Sequence, residues 1–395
     1  MQVYLDNAAT TRMSKKAIEA MTPYFDGIYA NPSALHSMGQ RAKEVLENAR
    51  MTVADCLGAD DREIYFTSGG SEGDNQAIVS ASRIGERKGK KHIVTTAFEH
   101  HAVLHTLKKL EKEGFDVQYL PVGREGSVNA EQVAEAIRED TCLVTIMTAN
   151  NEIGSVLPIA EIGKVCRDKK VLFHTDAVQA VGHVPVNVRD MNVDMLSLSA
   201  HKFHGPKGVG VLYAKKGVLL SNLIEGGAQE RGKRAGTENV AGIVGLAAAL
   251  KETTDDLSVN MKKVAYLRDK LIEGLLPIPH SVLNGDKVHR LPGNVHFCFE
   301  GIEGESLLLL LDEFGIEASS GSACTSGSLD PSHVLLAIGH PHEIAHGSLR
   351  LTLSEYTTEE EIDYVIETVP KVVSRLRDMS PVWRDKVCGK KPFIL

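Results

Sequence analysis

No two of the six cysteines are spaced as CxxC, and the N-terminus, MQVYLDNAATT, carries neither the basic nor the apolar region of a secretory signal. The first absence leaves Cys56, Cys142, Cys166, Cys298, Cys324 and Cys388 to be read as reduced thiols, and the second places the expected location in the cytoplasm. No apolar run reaches the ~18 residues that a membrane-spanning helix needs, so no membrane association is expected. Basic residues are outnumbered: 44 Lys and Arg against 52 Asp and Glu give a formal net charge of −8. That balance gives no reason to expect nucleic-acid binding. Tryptophan occurs once, and there is neither an internal repeat nor a low-complexity linker. What remains is an ordinary globular composition, 43% hydrophobic, in a chain of 395 residues, long enough for two domains.

From about Glu63 short β-branched runs alternate with amphipathic helical patterns. Strands are predicted at Ile64–Thr67, His92–Thr96, Val117–Leu120, Cys142–Thr148, Val171–Thr175, Met195–Ser199 and Gly208–Tyr213, with helices such as Ser71–Lys88 and His101–Glu113 between them. This alternation predicts an α/β fold with a mainly parallel seven-stranded sheet covered by helices. Beyond about Asn239 longer helical patterns (Val259–Leu276, Glu303–Phe314, Thr358–Leu376) mix with strands at Val295–Phe299 and Ser348–Leu353, which predicts a smaller α+β domain. The expected division is a large domain over 15–260 and a small one built from 1–14 and 261–395.

In such sheets ligands bind beyond the carboxyl ends of the strands. After Thr67 comes Ser68-Gly69-Gly70-Ser71 at a helix start, where free N–H groups and the helix dipole suit a phosphate; an ordinary Ser N-cap accounts for the same residues equally well. Asp176 follows His174-Thr175 and could hold a cationic nitrogen, or simply cap a helix. Asn150-Asn151 could orient ligand oxygens or make a turn. His100, in Glu99-His100-His101, could be a cap or a structural residue, or offer an aromatic face for stacking. Lys202, in Ser199-Ala200-His201-Lys202, lies at the same predicted edge, where lost hydration would favour its neutral, nucleophilic amine and a Schiff base with an aldehyde. Together these meet the needs of pyridoxal 5'-phosphate: a phosphate cradle, a stacking ring, a carboxylate for the ring nitrogen and an aldehyde-binding lysine.

With these motifs in order, the sequence resembles the fold-type I, class V pyridoxal-phosphate enzymes, and within them the NifS/IscS-like cysteine desulfurases. The resemblance is carried by Tyr4 through Thr11, Asn31-Pro32-Ser33, Phe66 through Asn75, Glu99 through Val103, Asn150 through Gly154, His174 through Gln179, Ser199 through Gly208, Gln229-Glu230-Arg231-Gly232, Arg234 through Asn239 and Ser320 through Ser328. It implies that Lys202 carries the cofactor aldehyde, that His100 stacks on the ring and moves protons, that Asp176 pairs with the ring nitrogen and Gln179 with the phenolic oxygen. Gly70, Ser71, Ser199 and His201 would hold the phosphate, with Thr237 reaching in from a partner subunit of a homodimer. Asn151 and Arg350 would orient the substrate carboxylate, and Asn151 would also touch the cofactor. Where family members often have Ser or Thr, this chain has Gly73, which receives no role.

Cys324 lies in Ser320-Gly321-Ser322-Ala323-Cys324-Thr325-Ser326-Gly327-Ser328, a run of small and hydroxyl residues that reads as a loop able to travel. The resemblance makes its thiolate the acceptor of sulfur from L-cysteine, with alanine as the second product. It also implies handover of the persulfide sulfur to an iron–sulfur scaffold protein of the IscU/NifU kind. Two further patterns are set aside. Gly227 through Lys233 resembles the front of a P-loop but is followed by Arg234 rather than Ser or Thr. His340, His342 and His346 have no accompanying cysteine or carboxylate set for a metal, and no metal is expected.

Overall fold

The computed structural model describes residues 1–321 and 331–395. The predicted sheet is present as seven strands: β1 (Ile64–Thr67), β2 (His92–Thr96), β3 (Asp116–Leu120), β4 (Thr141–Thr145), β5 (Leu172–Asp176), β6 (Met195–Ser199) and β7 (Gly210–Ala214). Their order is β1-β7-β6-β5-β4-β2-β3. All pairings are parallel except those of β7, which runs antiparallel to both β1 and β6. β1 therefore points the same way as β6, and the carboxyl ends of β1, β5 and β6 share one edge. Strands β2, β4, β6 and β7 are buried along their whole length, in keeping with their mostly apolar and β-branched composition.

Two strand limits differ from expectation by two residues or more. β4 ends at Thr145 instead of Thr148, although Ile146 N and Thr148 N still donate to His174 O (3.2 Å) and Asp176 O (2.8 Å), so extended chain continues past the regular ladder. β7 starts at Gly210 instead of Gly208, because Gly208 (φ +77°) still belongs to the turn. Gly210 is paired with both Thr67 and Ser199. A Cβ there would lie 2.6 Å from the Cα of Gly69, so this glycine lets the β1 turn close down beside the end of β6.

Helix α1 (Gly70–Glu86) follows β1 and helix α2 (His101–Lys112) follows β2. One apolar core on the sheet gathers Phe66, Val144, Phe173, Leu198 and Phe203 with Leu246 and Leu250 of helix Val240–Asp255. Another gathers Ile78 and Ala81 of α1 with Val103 and Leu107 of α2. A separate core lies around a second sheet, in which β8 (Ser281–Leu283), β9 (Asn294–Phe299) and β10 (Ser348–Thr352) are ordered β10-β9-β8 and antiparallel. Helices Leu257–Leu275, Gly304–Glu313 and Glu359–Met379 cover it, and Val3 and Leu5 join it through the parallel pairing of Val3–Tyr4 with Ile316–Glu317. The N-terminal segment then crosses back: Thr11 N and Ser14 N donate to His201 O and His204 O. This crossing carries Ala8 and Ala9 over the carboxyl edge of the main sheet. None of the helices among the described residues is long and apolar enough to cross a membrane.

Candidate active site

The three strand ends and the crossing segment enclose a cavity of about 310 Å³. Its wall includes Gly70, Ser71, His100, Asn151, Asp176, Gln179, Ser199, His201, Lys202 and Arg350, so residues chosen from separate motifs converge on one space. Thr237 is exposed on the loop before helix Val240–Asp255 and is not part of this wall. Cys324 lies outside the described residues, and the travel expected of its loop is therefore not described. The three histidines set aside above do not come together around a metal: buried His340 turns its Nε2 onto Asn284 Oδ1 at 2.6 Å, while His342 is exposed.

At the β1 end, helix α1 has no side-chain cap, so the N–H groups of its first turn are open toward the cavity. The acidic residue of that turn, Glu72, is engaged elsewhere: it accepts from Ser68 N (2.7 Å) and pairs with Arg234 Nε (2.9 Å). Ser71, Ser199 and His201 stand around the same opening. Burial lowers the His201 imidazole to about 4, helped by the charges of Lys202 and Lys207. Gly73 has a packing reason: a Cβ would meet Ser197 Oγ at 2.9 Å, and that hydroxyl is already held to His174 Nε2 at 3.0 Å.

At the β5 end, Asp176 Oδ1 accepts from Val178 N at 2.9 Å, a turn that aims the carboxylate into the cavity wall. Burial pushes its carboxyl up to about 6, against the pull of the Val178 N–H and the charge of Lys202. Asp74, on α1, reaches the same place. Ligand-capable atoms of Asp74, His100 and Asp176 lie within 4.8 Å of one another. Asp74 is fully buried, Oδ1 has no hydrogen-bond partner, and burial together with the Asp176 charge holds its carboxyl well above the ordinary range. Two acids crowded this way call for a cation from a ligand, and a protonated ring nitrogen supplies one. His100 caps α2 by accepting from Ala102 N at Nδ1 (3.2 Å). Burial, and then Lys202, His333 and His105, lower its ring to about 4, so it is a neutral, flat wall at physiological pH.

Lys202 ends the short 3-10 turn Ala200–Lys202 after β6. Its Nζ donates to Ala8 O (2.6 Å) and Ala9 O (2.9 Å) of the crossing segment, and Gln179 Nε2 donates to Ala8 O (2.9 Å). Arg350, on β10, is buried; it donates from Nη1 to Asn151 O (3.0 Å) and Gly321 O (3.1 Å) and from Nη2 to Asp6 Oδ1 (2.9 Å), while Nε has no partner. The donor set fits a phosphorylated planar ligand with a basic ring nitrogen, and a small acid beside it.

A family model described as aminotransferase class-V matches residues 3–365. The chain belongs to the class-V aminotransferase family. Among relatives of this class-V chain, a protein of Clostridium botulinum (strain Hall) named Cysteine desulfurase IscS is 54% identical over 393 residues, 99% of each chain. A solved structure named NifS-like protein has a TM-score of 0.89 at 40% identity and covers 95% of this chain and 100% of its own. Another, named SspA in complex with cysteine, has a TM-score of 0.80 at 38% identity over 90% of this chain and 100% of its own.

Sequence reasoning passed over several residues of the class-V pocket. Asp74 was legible in principle, since it stands one helical turn after Gly70 and so shares its face. His101 and Glu152 lie within quoted motifs but carried no distinguishing pattern. His333 gave no local signal; it meets His101 only in the fold, with ring centroids 4.6 Å apart.

Glu99, next to His100, is a further buried acid. Its carboxylate accepts from Thr96 Oγ1 (2.5 Å) and Met147 N (3.1 Å), yet burial raises it to about 8. The unfolded chain releases this proton near ~4.3 and the folded one near 8, so the term favours folding at low pH and is lost as pH rises through 8. Between pH 7 and 8.5, wild-type stability should therefore fall relative to Glu99→Gln, by at most about 1.4 kcal/mol per pH unit. Parallel pH profiles of unfolding for the two proteins would refute this.

Proposed function

We propose that this chain is a cysteine desulfurase that uses pyridoxal 5'-phosphate to convert L-cysteine to L-alanine and leaves the sulfur on Cys324 as a persulfide. The observation that carries the reading is the single cavity holding Lys202, Asp176, His100 and Arg350 beneath the open N-terminus of α1. Bound pyridoxal phosphate supplies an aldehyde for Lys202 and a sink for the electron pair released at the substrate Cα.

The chain's residues divide the remaining work. Gly70, Ser71, Ser199 and His201 hold the phosphate, joined by Thr237 of a second copy in a homodimer. Asp176 holds the protonated ring nitrogen, and Gln179 turns from Ala8 O to the phenolic oxygen. His100 covers one face of the ring. Asn151 and the Arg350 fork hold the substrate carboxylate. Lys202 Nζ takes the Cα proton. The Cys324 thiolate then attacks the substrate sulfur: an S–S bond forms as the C–S bond breaks, the electron pair stays with carbon, and protonation completes alanine. L-Cysteine plus a thiol becomes L-alanine plus a persulfide, with no outside oxidant or reductant.

The soluble acceptor in this reading is an iron–sulfur scaffold protein, and the setting is the cytoplasm. The division into 15–260 against 1–14 with 261–395 belongs to the same proposal; the core of the second sheet lies wholly within 1–14 and 261–395, while the main core also draws in Leu291, Cys298, Val334 and Leu335 from the later stretch. The test is alanine formation from L-cysteine by the purified enzyme. A keto acid formed from an amino donor, with no alanine from cysteine, would make it an aminotransferase instead.

Arg350→Lys keeps a buried charge for Asp6 but loses the fork. It should raise KM for L-cysteine by roughly tenfold or more while the cofactor's visible absorption persists. An unchanged KM would remove Arg350 from the carboxylate site.

A further inference from the structure

Three histidines besides His100 gather at the opening of the cavity. His101 and His105 stand four residues apart on α2, so both project from one face of that helix. His333, the first residue of the short helix His333–Ala337, reaches the same place from the later part of the chain. The His101 ring has the other two on either hand: its centroid is 5.0 Å from that of His105 and 4.6 Å from that of His333, and both pairs are tilted rather than stacked. His101 and His333 are half-buried in the cavity wall, whereas His105 is exposed and stands outside it. The cluster therefore runs from the wall to the surface.

These spacings suit a shared ion. A tetrahedral zinc-class ion about 2.0–2.1 Å from each nitrogen sets two ligating rings with their centroids roughly 5 Å apart. His333 is already oriented for such a role. Its Nε2 lies 2.9 Å from Glu99 O, and a carbonyl only accepts, so Nε2 carries the proton and Nδ1 keeps its lone pair. A ring fixed through its other nitrogen by a backbone carbonyl is the usual condition of a metal-bound histidine. Burial first, then the charges of His333, His105, His100 and Lys108, lower the His101 ring to about 4, so it is neutral at physiological pH. Exposed His105 is free to turn its ring toward the same point. This set is separate from Asp74, His100 and Asp176, whose ligand-capable atoms lie within 4.8 Å of one another inside the cofactor cavity.

We propose that His101, His105 and His333 bind a divalent ion of the zinc class at the opening of the cavity, and that the bound ion hinders entry of L-cysteine. The site stands on the geometry above; its effect on entry rests on the desulfurase reading. Three imidazoles leave the fourth position of a tetrahedral ion open. Two of its ligands belong to the cavity wall, so the ion narrows the opening. Thiolate is a ligand that zinc favours, so a substrate thiol that gives its proton to solvent is held there instead of reaching Lys202.

The test is Zn²⁺ titrated into the holoenzyme, in which the cofactor fills the place beside Asp74 and Asp176, with Cys324→Ala as background so that its thiol binds no metal. One ion per chain should bind. His105→Ala and His333→Gln should each weaken it by at least about tenfold, with cofactor absorption and melting temperature kept. No binding, or equal affinity in the histidine variants, would overturn the site. With Cys324 in place, Zn²⁺ should raise KM for L-cysteine several-fold in the wild type and leave His105→Ala near its metal-free value at the same Zn²⁺ concentration. The same rise in both would mean that zinc acts on cysteine in solution, and would overturn the effect on entry. A metal-free wild type that makes no alanine would sink the desulfurase reading and the entry effect with it, while the binding result stands by itself.

Discussion

Lys202→Ala is expected to abolish alanine formation and to remove the visible absorption of covalently held cofactor. Two functions of one amine are lost together. Lys202 Nζ is delivered to the cavity by a short turn after a fully buried strand, and the carbonyls of Ala8 and Ala9 hold it there. That placement matters because the amine must reach both the cofactor aldehyde and the substrate Cα. Loss of a positioned base alone costs ~10²–10⁴-fold in rate. Loss of the covalent link adds to it. The rest of the cavity survives the substitution, since the α1 N-terminus, Asp176 and His100 are each fixed by their own backbone contacts. The variant should fold and bind the cofactor without the covalent signature. A spectrum identical to wild type would show that another group holds the aldehyde.

The placement of Lys202 was legible because it depends on a rule of topology. Strands with β-branched apolar runs separated by helical patterns form a sheet whose carboxyl ends share an edge, and chemistry-bearing residues just after those strands then meet. Gly69-Gly70-Ser71, Asp176 and Ser199 through Lys202 could be brought together this way without coordinates. The same rule is silent on contacts that other elements bring to that edge. Asp74 crowding Asp176, the tilted ring of His333 meeting His101 and Ser332 bonding to Glu152 join residues far apart in sequence, with no periodicity to announce them. The antiparallel direction of β7 was likewise not stated by the pattern, since a fully buried strand reads the same in either direction. Gly73 shows the converse. The sequence exposed a departure from the family, and only the fold supplied its cause, the hydroxyl of Ser197 filling the space a side chain would need.

Cys324→Ala should separate the cofactor from the sulfur chemistry. Cys324 lies outside the described residues, so the expectation rests on the cavity and on the reaction's balance. The substitution leaves Gly321 on Arg350 and Ser332 on Glu152 as in the wild type. It also leaves Lys202, Asp176 and the α1 N-terminus in place. Cofactor absorption and melting temperature should therefore match the wild type, and L-cysteine should still perturb the cofactor spectrum. What disappears is the thiolate that accepts sulfur. Without it the C–S bond has no nucleophile to break it, because no other cysteine among the described residues lines the cavity. Cys142, Cys166 and Cys298 are buried, and burial pushes their thiols up to about 12, which disfavours the thiolate that attacks. Alanine from L-cysteine under reducing conditions should fall at least ~10²-fold, with no persulfide adduct detectable by mass. Alanine at the wild-type rate would mean that sulfur leaves by another route, to a small-molecule thiol or as free sulfide. Alanine from neither protein, with cofactor bound in both, would instead hand the pocket to a different amino substrate.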